Sequence, residues 1–307
     1  LIDPEGALKE EELSPYWADG SALRNRDRVR FTCPSVRTEY LPMIPVVSPD
    51  LNSWPGFSDR EPVLEAKKLA ECKSGQEAFE CLSPLIDGYS SWIQQTFGDL
   101  SGLEKYDSVI LRHKEECMSS LRRIKEGVYL IRDNDLVRAS FQFSNMAIHK
   151  VNVWKGNDEF CWRPFQLAFI LQNVPGLSSR THEDRKTCDL LWFPTGGGKT
   201  EAYLGLASFI MSFRRLFYAP EEGSVFNPGA GVSVISRYTL RLLTIQQFRR
   251  GNSVVTACEL LRVVKTPQGT GWRPEGCGLS GDYPWGMVSF SIGLWAGGKV
   301  TPNQMRT

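Results

Sequence analysis

The sequence contains no CxxC pair, although it holds eight cysteines, and it has only three histidines. Thiols scattered at 33, 72, 81, 117, 161, 188, 258 and 277 exclude a zinc ribbon and a compact disulfide scaffold, and they read as reduced thiols of a cytoplasmic protein. No apolar run approaches the roughly 20 residues a membrane span needs. The nearest, Tyr203 to Met211, is short and flanked by charge, so no membrane partner is expected. Excess charge is also missing: a net charge of +1 excludes a globally basic nucleic-acid binder and leaves room only for a local basic groove. The opening "LIDPEG" lacks Met, a basic start and an apolar signal core, so the chain is expected to be part of a longer one.

What is present is ordinary for a folded protein. The 307 residues are 41% hydrophobic and 23% charged, enough for a full core and about two domains. Six prolines, at 34, 42, 45, 49, 55 and 62, exclude a long helix from residues 33–62 and predict an irregular arm. Residues 61–82 predict two short helices interrupted near Gly75. Leu103, Tyr106, Ile110, Cys117, Leu121, Ile124 and Val128 recur at helical spacing, predicting an amphipathic helix that ends near Gly127. A further helix is predicted over 135–154 with Asp135 as its cap. His113 and His149 fall in these helices with no second ligand at metal-binding spacing, and both are read as structural.

After a turn-rich break at 155–159 the texture changes. Strands are predicted at 188–193, 231–236 and 287–297, and helices at 199–217 and 237–264. This alternation predicts an α/β fold, a parallel sheet with crossover helices, behind a mainly helical domain. The boundary is placed near residue 155, giving domains 1–155 and 156–307.

Between the first strand and the following helix stands "FPTGGGKTE". Glycines could serve a tight turn alone, but a lysine and a hydroxyl directly after them point to a phosphate. In such a loop backbone N–H groups surround the anion, the lysine neutralises it, the hydroxyl ligates magnesium, and the helix N-terminus adds its positive end. Pro194, Thr195, Gly196, Gly197, Gly198, Lys199, Thr200 and Glu201 are the candidate phosphate site, with Lys199 and Thr200 catalytic and Thr200 the magnesium ligand. The strict GxxxxGK(S/T) pattern fails at its first position, which is Phe193.

This variant resembles motif I of superfamily 2 helicases. Two further stretches stand in the order that resemblance implies. "RPFQ", with Arg163, Phe165 and Gln166, is similar to the element preceding motif I, whose glutamine amide offers adenine both a donor and an acceptor; the alternative is a plain helix start with Pro at its first position. "RYTLRLLTIQQF" resembles motif Ia, and Thr239, Arg241 and Gln246 are the candidate contacts to a nucleic-acid backbone. The alternative there is an ordinary amphipathic helix. Arg249 and Arg250 are read as solvated surface.

The longer phrases "WRPFQLAFILQNVPGL", "DLLWFPTGGGKTEAYLGLASF", "SIGLWAGG" and "TPN" are together similar to the DrmA family, the helicase component of the bacterial DISARM phage-defence system. The resemblance is densest from Trp162 to Asn303. It implies a first RecA-like lobe at 156–307, incomplete at its C-terminal end, ATP and magnesium as cofactors, DNA, notably phage DNA, as substrate, and a DrmB-like second subunit. Neither a DExx carboxylate pair nor the second-lobe arginines can be identified, and hydrolysis needs both kinds of group. Asp189 precedes the loop and is read as the start of a strand, so the chain by itself is expected to be inactive. The competing function is a P-loop ATPase acting on a partner other than nucleic acid, and the N-terminal helices could in either case dock a partner.

Overall fold

The computed structural model describes residues 60–100, 102, 104–193, 196–217, 231–238 and 241–295, all within one compact unit, Asp50–Thr307. Most of the proline-rich arm at 33–62 lies outside them, as do Pro194, Thr195 and Thr239. The described elements are helices α1 (Ala66–Ala70), α2 (Gly75–Asp99), α3 (Asp107–Asp133), α4 (Asp135–Val153), α5 (Pro164–Ser178), α6 (Lys199–Phe217) and α7 (Arg241–Val263). Short 3₁₀ turns lie at Glu104–Tyr106 and Glu183–Lys186, and β1 (Lys265–Thr266) pairs antiparallel with β2 (Gly269–Thr270).

Local chemistry accounts for the helix starts. Ser74 caps α2: its hydroxyl accepts from the Glu77 N–H at 3.1 Å, while the Glu77 carboxylate accepts from the Lys73 N–H at 2.7 Å. Two donors that no helical carbonyl could reach are thereby satisfied. The cap of α4 is Asn134 rather than Asp135, its side-chain oxygen accepting from Leu136 and Val137 at 3.0 and 3.1 Å. Asn134 also ends α3, so the two long helices meet at one residue.

Helix α4 is the centre of the core. It packs against α1, α3, α6 and α7, and residues from Val137 to Val151 are buried nearly all round. A helix buried on every side must satisfy its own polar groups. Gln142 donates to the carbonyls of Ala70 and Cys72, at 3.2 and 2.5 Å, and Ser144 donates to Gly205 on α6 at 2.7 Å. Asn145 accepts from the indole N–H of the fully buried Trp162 at 2.7 Å.

Helix α3 runs to Asp133, past the expected stop at Gly127. Gly127 is a packing notch instead of a terminus: a β-carbon there would lie 2.0 Å from the Leu171 carbonyl oxygen on α5. The two helices therefore touch backbone to backbone.

The helices expected at 199–217 and 237–264 form as α6 and, slightly shorter, α7. The runs expected as strands do not pair among the described residues. Residues 188–193, 231–236 and 287–295 carry no ladder, and Leu190, Trp192, Ile235, Met287 and Trp295 stand exposed along them. Arginines from the helices reach carbonyls in or beside two of them: Arg214 donates to Val232 at 2.7 Å, Arg215 to Ser289 at 3.0 Å and to Trp285, just before the third run, at 3.1 Å, and Arg262 to Met287 at 2.9 Å. The described chain is thus mostly helical, and the parallel sheet of the expected RecA-like lobe is not among its elements. No described helix is long and apolar enough to cross a membrane.

Candidate functional site

The glycine-rich loop sits where the start of α5 meets the start of α6. Pro164 occupies the first turn of α5, where a missing N–H costs nothing. Two residues on, the Gln166 side-chain oxygen accepts from the Arg163 N–H at 2.8 Å. Both residues then reach the loop. Arg163 donates to the Gly197 carbonyl, and the Gln166 amide donates to the Gly198 carbonyl at 2.7 Å. Gln166 is buried and has one hydrogen and one lone pair of its amide left over from these bonds.

Gly196 and Gly198 have φ of +85° and +84°, the left-handed region that glycine adopts without cost. At Gly198 the space is also closed, since a β-carbon would lie 2.5 Å from the Gln166 amide nitrogen. Lys199 and Thr200 are the first two residues of α6, both half-buried. The Lys199 ammonium folds back to donate to the Phe193 carbonyl, joining the two ends of the loop. Glu201, in the same turn, accepts from Arg250 of α7.

Phe193 has a partner that the sequence did not suggest. Its ring stacks on that of Phe165, with centroids 3.9 Å apart and planes 21° apart. The bulky residue at the head of the loop is held by the same "RPFQ" element whose Arg163 and Gln166 hold the glycines.

Asp189 does not begin a strand. It takes a two-bonded contact from Arg123 of α3, at 2.6 and 2.7 Å, while the third face of that guanidinium donates to Asp184 at 2.7 Å. Arg123 is buried, and the hydrogen bonds to Asp189, followed by its charge, hold the guanidinium's pKa above its ordinary value. Beside it His182 meets Glu126 of α3 at 2.9 Å. The segment leading into the loop is therefore fastened to α3.

Of the expected nucleic-acid contacts, Gln246 is exposed on α7 and Arg241 opens that helix. Arg250 is not solvated surface, since it pairs with Glu201, and Arg249 borders a pocket at the same junction. His113 lies exposed on α3, 3.2 Å from Glu116, and His149 is buried in α4. The sequence reading missed Arg123 and Arg250 because each pair spans far along the chain, 66 residues for Arg123 to Asp189 and 49 for Arg250 to Glu201.

What this arrangement can do follows from its charges. Arginine and glutamine draw two loop carbonyls toward α5, while an ammonium and a hydroxyl sit at a helix N-terminus that favours an anion. No family model matches the chain. Over 78% of its length it is 36% identical to the DISARM protein DrmA of Bacillus paralicheniformis (strain ATCC 9945a / NCIMB 11709 / CD-2). It spans 21% of the length of that relative.

Proposed function

This chain is DrmA-like, and from that premise we propose that it serves a DISARM-type bacterial anti-phage system as part of an ATP-dependent DNA helicase or translocase. The observation that carries the reading is the loop itself. Two left-handed glycines precede a 19-residue helix that opens with Lys199 and Thr200, and Arg163 and Gln166 restrain the loop from behind. A β-carbon at Gly198 would strike the Gln166 amide that braces the loop, so the brace needs glycine there, while the Lys199 ammonium and Thr200 hydroxyl at the start of α6 fit a phosphate group. ATP with magnesium supplies, when bound, the phosphoanhydride whose cleavage drives movement on DNA.

The chain's own residues then have defined tasks. Lys199 exchanges the Phe193 carbonyl for phosphate charge, Thr200 offers its hydroxyl to magnesium, and the amides of Gly196, Gly197 and Gly198 face the anion. Gln166, with Arg163 and Phe165, positions the loop and presents its remaining amide capacity to adenine. Arg241, Gln246 and Thr239 hold the strand's backbone. The carboxylates and arginines that complete hydrolysis are supplied by the rest of a longer cytoplasmic protein, which works with a DrmB-like second subunit.

The test is Lys199→Ala in the full-length protein, followed by ATPase assay with and without DNA. Loss of DNA-stimulated turnover is expected. Unchanged turnover would overturn the reading, and ATPase activity that depends on Lys199 but ignores DNA would favour a P-loop ATPase with a protein partner.

A further inference from the structure

At the junction of α4, α6 and α7, close to the glycine loop, lies a second pocket of about 160 Å³. Its charged lining is Lys155, just beyond the end of α4, Arg249 and Arg250 of α7, and Glu201 of α6, with Asn152 and Ser253 as further polar residues. Its apolar lining is Ile148, Val151, Leu204 and Val254. Three cations thus face one carboxylate. Arg250 is the cation paired with Glu201. The ammonium of Lys155 and the guanidinium of Arg249 have no acceptor among the described residues.

Like charges gathered beside an apolar lining repel one another and attract an anion. The size limits which anion. Sites for whole small molecules begin at about 300 Å³, so this pocket takes a single phosphate-sized group and not a nucleotide. Its location selects the source. Arg249 stands eight residues along the same helix from Arg241, about 12 Å at the helical rise, on the element already assigned to the DNA backbone.

We propose that this pocket seats one backbone phosphate of the bound DNA and couples it to the nucleotide loop through the Arg250–Glu201 pair. The proposal rests on the translocase reading above. A phosphate on Lys155 and Arg249 competes with Glu201 for Arg250, and Glu201 directly follows Thr200 in the first turn of α6. Occupancy by DNA thereby frees a carboxylate beside the magnesium-ligating hydroxyl. The pocket serves as a sensor as well as a contact.

The experiment uses the full-length protein and the double variant Lys155→Ala/Arg249→Ala. Binding of a fluorescently labelled DNA oligonucleotide is followed across a range of salt concentrations, and binding of a fluorescent ATP analogue is followed without DNA. Each phosphate contact contributes about 0.7 to 0.9 to the slope of log Kobs against log salt. The slope is expected to shrink by about that amount, with DNA-stimulated ATPase reduced and analogue binding retained, which shows an intact loop. A wild type that binds DNA and a variant with the same slope would overturn the pocket while leaving the translocase reading in place. Inorganic phosphate forms a separate arm. If it raises the melting temperature of the wild type and not of the variant, while the DNA slope is unchanged, the site takes a free anion and its assignment to the DNA backbone is overturned. A wild type that neither binds DNA nor is stimulated by it overturns the translocase reading and this proposal together.

Discussion

The ring of Phe193 lies over the ring of Phe165, 3.9 Å between centroids, across an interval of sequence that separates the "RPFQ" element from the glycine loop. A small residue at position 193 would leave Phe165 without this partner. Aromatic pairs contribute about 0.5–1.5 kcal/mol beyond the area they bury. A double-mutant cycle of Phe165→Ala and Phe193→Ala in urea unfolding is expected to give a coupling energy of that size. Additive effects would show that the stack contributes nothing of its own.

Arg123 supplies three hydrogen bonds to two carboxylates in the segment that leads to the loop. Removing one partner of a largely buried ion pair leaves the other charges uncompensated, and Arg123→Ala is expected to cost roughly 3 kcal/mol, read from the urea midpoint. Arg123→Lys keeps the charge and loses the two-bonded fork, so it should fall between wild type and alanine. A lysine variant as stable as the wild type would show that charge alone holds the segment.

His149 is buried in α4, and its Nδ1 has no hydrogen-bond partner among the described residues. Burial, followed by repulsion from Lys150 and Lys67, pushes its pKa below the ordinary 6.5. A depressed pKa means that the folded state resists protonation more than the unfolded one. Its stability contribution is therefore complete above pH 6.5 and is lost as the pH falls toward the folded-state value. Urea midpoints measured on both sides of 6.5 should decline toward acid, and His149→Gln should flatten that part of the profile. An equally steep profile in the variant would place the titrating group elsewhere.

Periodicity made the helices legible. The spacing from Tyr106 to Val128 and the apolar density of 135–154 each identified a real helix, because helical contacts repeat within a few residues. Their boundaries were harder. Gly127 looked like a stop, and its meaning depends on Leu171, a residue on another helix. Strand-like composition at 188–193, 231–236 and 287–295 marked chain outside the helices, but pairing needs a neighbour, and none of these runs has a ladder partner among the described residues, while arginines of α6 and α7 take the carbonyls of Val232, Met287 and Ser289.

The glycine loop was legible for the opposite reason. Its positive backbone angles are allowed by residues within it, Gly196 and Gly198 above all. What stays hidden in a sequence is which distant side chain braces such a loop. Neither the stacking of Phe165 nor the reach of Arg123 leaves a local mark, since an arginine on a helix reads as surface until its carboxylates are found.

The notch at Gly127 bears on how the site can move. With no side chain between the α3 backbone and the Leu171 carbonyl, neither helix has a cushion of rotamers to absorb a slide. Helix α5 begins with the residues that grip the loop, and α3 carries the arginine that fastens the chain leading to it. Any displacement of the loop's rear wall must then carry α3 with it as a rigid lever.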